Sequence, residues 1–315
     1  MHKYILKRLL MLIPVIIGVS FIIFIAMEMS AGDPVLMIAG EEASQEVIEQ
    51  LRIEYGYDRS VFYRFGQYLL NLLHGDLGNS YRYKAPVWDL YMERLPATAI
   101  LAVTSVLMGY VLSIPLGIIA AVKRGSLIDN GVTVISLIGQ SMPNFWQGIL
   151  LIIWLSLNHR IFPSYGFNDG WKSLVLPSIT IATSNMALLT RTTRSSMVDV
   201  LGQDYLRTAR SKGVGESKVV LKHALKNALI PIITISGTQL ASIMGGSVLV
   251  ETVFAWPGVG RLMIDAINQR DVNLACGCIV MTTIITSVIL VLIDLAYAFV
   301  DPRIKAQYVK GGKKK

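Results

Sequence analysis

Six apolar stretches, each about as long as a bilayer is thick, decide what this chain can fold into. About 20 apolar residues in a helix cross ~30 Å of hydrocarbon. Lipid offers no water to satisfy backbone N–H and C=O groups, so spans that bond internally are required. The fold class expected is all-α: a polytopic membrane protein with six transmembrane helices. The composition agrees, because 315 residues at 53% hydrophobic and 16% charged are too apolar for an ordinary soluble domain.

The first span is expected at Leu9–Met27, after Lys3, Lys7 and Arg8. It is longer than the apolar core of a signal peptide and no A-x-A site follows, so it reads as uncleaved. The second runs from about Pro96 to Val122 and the third from about Ile128 to Leu157, interrupted at Met142-Pro143-Asn144. Proline removes a backbone hydrogen bond, so this span is kinked or split. The fourth covers about Leu174–Leu189, the fifth Leu229–Val250 and the sixth Leu274–Val300. Residues Ser30–Arg94 form the longest polar segment, acidic on balance, with Phe62, Phe65, Leu69 and Leu72 at helical spacing. The expected domains are 1–95 (first helix and outer helical segment), 96–302 (five-helix core, with a loop at 191–228) and a basic tail at 303–315.

Six spans place both termini on one side, and the basic residues then sort. Lys3, Lys7, Arg8, Lys123, Arg124, Arg191, Arg194, the cluster from Arg207 to Lys226 and the lysine tail all fall on that side. Positive charge collects on the cytoplasmic face of membrane proteins. The expected location is therefore the cytoplasmic membrane, multi-pass, with both termini cytoplasmic. The net charge of +8 is thereby accounted for by membrane lipid and topology, with no nucleic-acid partner.

One loop on the cytoplasmic side stands out: Asp204–Pro231, DYLRTARSKGVGESKVVLKHALKNALIP. Asp204 reads as an N-cap. Tyr205, Leu206, Ala209 and Gly213 share a helical face, Arg207 and Arg210 take another, and Gly213-Val214-Gly215 ends the helix. A second helix starts near Glu216 and leads to Pro231. Two readings fit. The helix lies in a groove of a partner protein, or the charges enforce topology while the helix rests on lipid.

The same stretch resembles the cytoplasmic signature loop of permeases in binding-protein-dependent ABC importers. Arg207-Thr208-Ala209 stands where the general signature has Glu-Ala-Ala, and Gly213 holds its glycine. The departure matches the peptide/nickel branch, in which DY-x-RTAR-x-KG and HAL-x-NALIP are characteristic. Ordered fragments extend the likeness: GDLGNSY from Gly75, ERLPAT from Glu93, LPSI from Leu176, RSSM from Arg194, VFAWPGVGRL from Val253 and DPRI from Asp301. The resemblance implies a type I importer permease fold. It also implies a subunit that pairs with a second homologous permease, two cytoplasmic ABC ATPases and an extracytoplasmic solute-binding protein. Tyr205, Leu206, Arg207, Ala209, Arg210, Lys212 and Gly213 would then form the ATPase-coupling helix. Phe254, Trp256, Pro257 and Gly258 would form an outer gate or binding-protein contact.

In the spans, Asn185, Gln239, Ser242, Gly245 and Gly246 serve close packing or a wet pathway. Asp294 lies about 10 Å from the inner end of its span. An acid inside a membrane is a functional candidate, whereas the family's DLxYAxxDPR ending implies helix-end anchoring. No catalytic residues, cofactor site or metal site are expected in this chain. No G-x-x-x-x-G-K-[ST] occurs, so ATP and magnesium belong on partner ATPases. The expected function is transport, half of a peptide pathway, with a nickel-chelate or glutathione importer as alternatives. A polytopic enzyme and a passive channel rank lower. The four histidines are scattered, and a channel has no use for a docking loop.

Overall fold

Proline 143 divides one expected span into two helices, and the rest of the chain builds around unbroken ones. The computed structural model describes residues 2–29, 34–40 and 43–300; side chains at 2–9, 28, 34, 37, 246, 294 and 296–300 lie outside the description. The burial of Gly246, the side chain of Asp294, the DPRI fragment and the lysine tail therefore lie outside it.

The elements run α1 (His2–Met29), α2 (Pro34–Ala39), α3 (Gln45–Glu54), α4 (Val61–Leu73), α5 (Val87–Val122), α6 (Leu127–Ser141), α7 (Asn144–Leu151), α8 (Trp171–Leu201), α9 (Asp204–Ser211), α10 (Glu216–Lys218), α11 (Leu225–Gly246), α12 (Val248–Val253), α13 (Val259–Asn268) and α14 (Val272–Val300). Wider π-helical turns continue α7 over Ile152–Asn158 and join α10 to α11 over Val219–Ala224. Among the described residues the only bridge of β type pairs Asn79 with Pro86. Five stretches are single helices long and apolar enough to cross a membrane: Leu10–Met27, Val87–Val122, Trp171–Leu201, Glu216–Gly245 and Val272–Ile293. The remaining expected span is the α6–α7 pair. Met142 is extended and Pro143 starts α7 without a side-chain cap, where the missing proline N–H ends the first ladder.

The chain divides into two units, Met1–Thr98 with Pro257–Lys315, and Ala99–Trp256; one division point falls inside α5. In unit 1, α1 packs on α14, and α4 lies against α1 through aromatic rings. Phe65 meets Phe21 at 5.1 Å and Phe24 at 5.6 Å, both edge to face. Of the expected apolar face of α4, Phe65 is buried, but Phe62 is 71% exposed. The core of this unit also takes Cys276 and Cys278, both free and buried. Asp271 starts α14 by accepting the Leu274 N–H at 3.1 Å, and its other oxygen holds the loop after α4 through Ser80 Oγ at 2.5 Å. The GDLGNSY fragment is thus pinned to α14.

In unit 2, small residues let α5 run close to α8. Thr104 Oγ1 meets Ser178 Oγ at 2.9 Å, the Ser113 hydroxyl reaches the Met186 carbonyl at 3.5 Å, and a Cβ on Gly117 would lie 2.5 Å from Thr193 Cβ. The pairs advance together along both helices, so α5 and α8 run parallel. Val103, Leu107 and Val111 form an exposed apolar stripe on the same helix, as lipid contact requires. Residues at α6's start and end meet α8 in reverse order, Asp129 with Arg194 and Gly139 with Thr183, so this pair is antiparallel.

Candidate functional site

The α9 helix is short, polar on its outer face and tied down at both ends. Its start differs from the sequence expectation. Gln203 takes the cap position in extended conformation, and Asp204 is the first helical residue, with its side chain 97% exposed beside Arg207 at 3.9 Å. The acid still suits the positive end of the helix dipole. The end is as expected. Gly213 adopts φ +79°, its N–H bonds the Arg210 carbonyl at 2.9 Å, and the Val214 N–H returns to the Ala209 carbonyl at 3.2 Å. This paired closure uses a left-handed residue, which glycine enters without a Cβ penalty.

Leu206 anchors the helix. It is fully buried, in a cluster with Ala121 of α5, Met197 of α8, Val219, Val220 and Ala224 of the stretch leading into α11, and Ala228 of α11 itself. Burying a leucine contributes about 1.5–3 kcal/mol. Ala209 and Val214 close the edge of the same cluster. The ends of three membrane helices therefore converge under one side chain of α9.

Polar contacts complete the mount. The Tyr205 hydroxyl accepts a hydrogen bond from Asn227 Nδ2 at 2.7 Å. Arg210 forks onto Glu216, with Nε and Nη2 at 3.0 and 2.8 Å from the two carboxylate oxygens. That carboxylate holds the guanidinium's proton more tightly and is itself held ionised, although both groups face solvent. Arg207 and Lys212 point away from the cluster and are exposed. The seven residues expected on the coupling helix thus divide: Leu206 and Ala209 face inward, Arg207 and Lys212 outward, Tyr205 and Arg210 reach sideways to neighbours, and Gly213 ends the helix.

The second helix of this loop does not stop at Pro231. The stretch from Glu216 continues through the π-helical turn and through Pro231 to Gly246. Any load on α9 therefore bears directly on a membrane-spanning helix. The other end is braced by Asp129, whose carboxylate takes both Arg194 Nε and Nη2 at 2.6 Å and the Gly125 N–H at 2.9 Å. Arg194 sits two turns before the end of α8 and has more than a topological role here. Asp129, Asn227 and the fully buried Glu251 are functional candidates the sequence reading missed. An acid inside an apolar run was the available signal for Asp129 and Glu251; Asn227 carried none.

The residues expected in the spans do not form one lining. Asn185 donates to the Ile181 carbonyl of its own helix at 3.2 Å. Gln239 is buried, its Nε2 without a hydrogen-bond partner among the described residues, whereas Ser242 and Gly245 are exposed. Near the end of unit 2, Phe254 and Trp256 are interior. The Trp256 ring lies 4.7 Å from Phe167, the Phe254 carbonyl accepts the Gly166 N–H at 2.9 Å, and a Cβ on Gly148 would come within 3.0 Å of the Phe254 ring. Both aromatics are buried within this chain, so their rings pack inward rather than toward solvent. Pro257 is half-buried and Gly258 buried.

Known proteins bear on this geometry. Residues 113–306 match the family described as binding-protein-dependent transport system inner membrane component, and residues 1–102 match its N-terminal region. The chain is 42% identical to the oligopeptide transport system permease protein AppB of Bacillus subtilis (strain 168), over 97% of this chain and 100% of that one. It is 36% identical to the dipeptide transport system permease protein DppB of Escherichia coli (strain K12), over 97% and 99%. Among solved structures, a chain of the MetNI methionine ABC transporter in an inward-facing conformation superposes with a TM-score of 0.57 at 19% identity, covering 67% of this chain and 96% of that one. The likeness establishes the fold as that of a type I ABC importer permease. The chain belongs to the binding-protein-dependent transport system inner membrane component family, and is a multi-pass permease subunit that works with other components of an ABC importer.

Proposed function

We propose that this chain forms half of the membrane pathway of an ATP-driven peptide importer, together with a second homologous permease. Two cytoplasmic ABC ATPases, which carry the ATP and magnesium, engage the outward face of α9 around Arg207 and Lys212. An extracytoplasmic solute-binding protein delivers cargo, and both termini are cytoplasmic. The observation that carries this reading is the mount of α9: a fully buried Leu206 where the ends of α5, α8 and the lead-in to α11 meet. A helix fixed in that way moves only with the spans beneath it. Closure of the ATPases then shifts those spans between inward-facing and outward-facing arrangements as packed bodies. The Phe254–Trp256 turn acts as an outer gate element, held from inside. The names of AppB and DppB support peptides as cargo over nickel chelates or glutathione.

Uptake of a radiolabelled dipeptide into proteoliposomes carrying the whole transporter tests the proposal. Uptake should require ATP, stop with a non-hydrolysable analogue, and resist competition by glutathione or chelated nickel. Uptake that proceeds without ATP would return the chain to the channel reading.

A further inference from the structure

Unit 1 carries a cavity that coupling does not use. It has a volume of about 930 Å3 and opens between α4, the turn before it and the loop after it. That is the size range of sites for small organic ligands, roughly 300–1,000 Å3. One wall is a face of α4, where Tyr63, Gln67 and Asn71 recur at four-residue spacing with Tyr68 beside them. Tyr55 and Tyr57 come from the turn, and Tyr81 from the loop.

These walls are already in place. Tyr55 and Tyr81 meet edge to face at 4.8 Å, and the Arg64 guanidinium lies 4.4 Å from the Tyr57 ring centre. Ser80, next to Tyr81, is bonded to the buried Asp271. Tyr68 is buried, and its hydroxyl has no hydrogen-bond partner among the described residues. Burial pushes the Tyr68 and Tyr81 phenols above their ordinary range, and Tyr81 shares a side-chain hydrogen bond with Tyr57. Three acids (Glu54, Asp58 and Asp76) and three bases (Arg59, Arg64 and Lys84) line the cavity. With Asp58 and Arg59 paired at 3.1 Å, the remaining charges also balance, so the lining favours a zwitterion over a net anion or cation. Aromatic walls suit a planar amide and a large side chain stacked on them.

We propose that this cavity binds a short peptide with free termini, outside the membrane and apart from the translocation pathway. The proposal rests on the peptide-importer reading and its topology, which put α4 and its loops on the outer side. An internal segment of another protein shares the amide chemistry but lacks the two terminal charges, and the test separates the two sources.

The probe is Ala–benzoylphenylalanine–Ala, photo-crosslinked to the full chain in nanodiscs and mapped by mass spectrometry. Crosslinks should fall within residues 55–81. Asn71→Trp, which fills the cavity from an exposed position, should lower their yield about tenfold, and Gln67→Trp should repeat the effect. Unlabelled Ala-Phe-Ala should compete, and its N-acetylated, amidated form should not. Crosslinks undiminished by both tryptophan variants overturn the proposal. So does equal competition by the capped peptide, which would identify the occupant as a protein segment. If the whole transporter takes up the same peptide while no crosslink falls at 55–81, this site alone is refuted. If uptake is absent as well, the peptide reading fails with it.

Discussion

Tyr205 and Asn227, 22 residues apart, share a hydrogen bond of 2.7 Å that joins α9 to the start of α11. The bond is exposed, so its value lies in geometry more than in energy: it sets how α9 is turned on its leucine anchor. Tyr205→Phe and Asn227→Ala each remove it. If they act through the shared bond, the double variant should transport no worse than the poorer single variant, a non-additive outcome. Uptake rates of the three variants in one membrane preparation check this, and additive losses would assign the two residues separate roles.

Two glycines separate conformational need from space. Gly213 has φ +79° and nothing within 4 Å of a built Cβ, so Gly213→Ala strains the closing turn of α9 by about 1 kcal/mol without a clash. Gly117 is helical, but a Cβ there lies 2.5 Å from Thr193 Cβ and 2.9 Å from the Thr190 carbonyl. Backbone gives way poorly, so Gly117→Ala should push α5 off α8. Thermal unfolding in detergent should show a small shift for Gly213→Ala and a large loss of folded protein for Gly117→Ala.

The Asp129–Arg194 fork closes the angle between α6 and α8, with the Asp129 side chain 5% exposed and the Arg194 side chain 32%. Asp129→Asn keeps the shape and removes the charge. Loss of a charged, doubly bonded partner should destabilise the protein by on the order of 2 kcal/mol, less than for a fully dry pair because water reaches the arginine. Chemical denaturation in mixed micelles measures it. An unchanged midpoint would make the fork dispensable.

Orientation is open to a simple labelling experiment. The native Cys276 and Cys278 are buried, so a membrane-impermeant maleimide should leave the unmodified chain unlabelled. Arg207→Cys should then label only from the cytoplasmic side and Asn71→Cys only from the outside. The reverse pattern would invert the topology.

Much of the fold is legible in the order of the residues. Apolar runs and basic flanks locate the spans, and Pro143 marks the break because a residue without an N–H must interrupt a ladder. Gly213 marks the end of α9 because few other residues accept its backbone angle. What stays hidden depends on three dimensions. The π-helical turn at Val219–Ala224, which makes the lead-in and the span one rod, has no spacing rule to betray it. Around Trp256-Pro257 the sequence shows a turn that returns outside or dips partway in, but not that Trp256 is fully buried, because turn chemistry says how a chain bends and not what it bends around. Val47, Ile48 and Leu51 keep helical spacing on α3, a helix with no buried residue. In the spans, lipid-facing and core-facing positions are equally apolar, so hydropathy does not sort Gln239 from Ser242.

The proposed coupling depends on Leu206, which fixes α9 to the ends of α5, α8 and the lead-in to α11. Leu206→Ala leaves the outward face with Arg207 and Lys212 intact and hollows the anchor beneath it, a change that costs about 2–5 kcal/mol in a packed core. The decisive measurement is peptide taken up per ATP hydrolysed by the reconstituted transporter carrying Leu206→Ala. Hydrolysis that continues while uptake per ATP falls severalfold is the predicted result. An unchanged ratio of uptake to hydrolysis would show that the Leu206 anchor does not couple α9 to the spans.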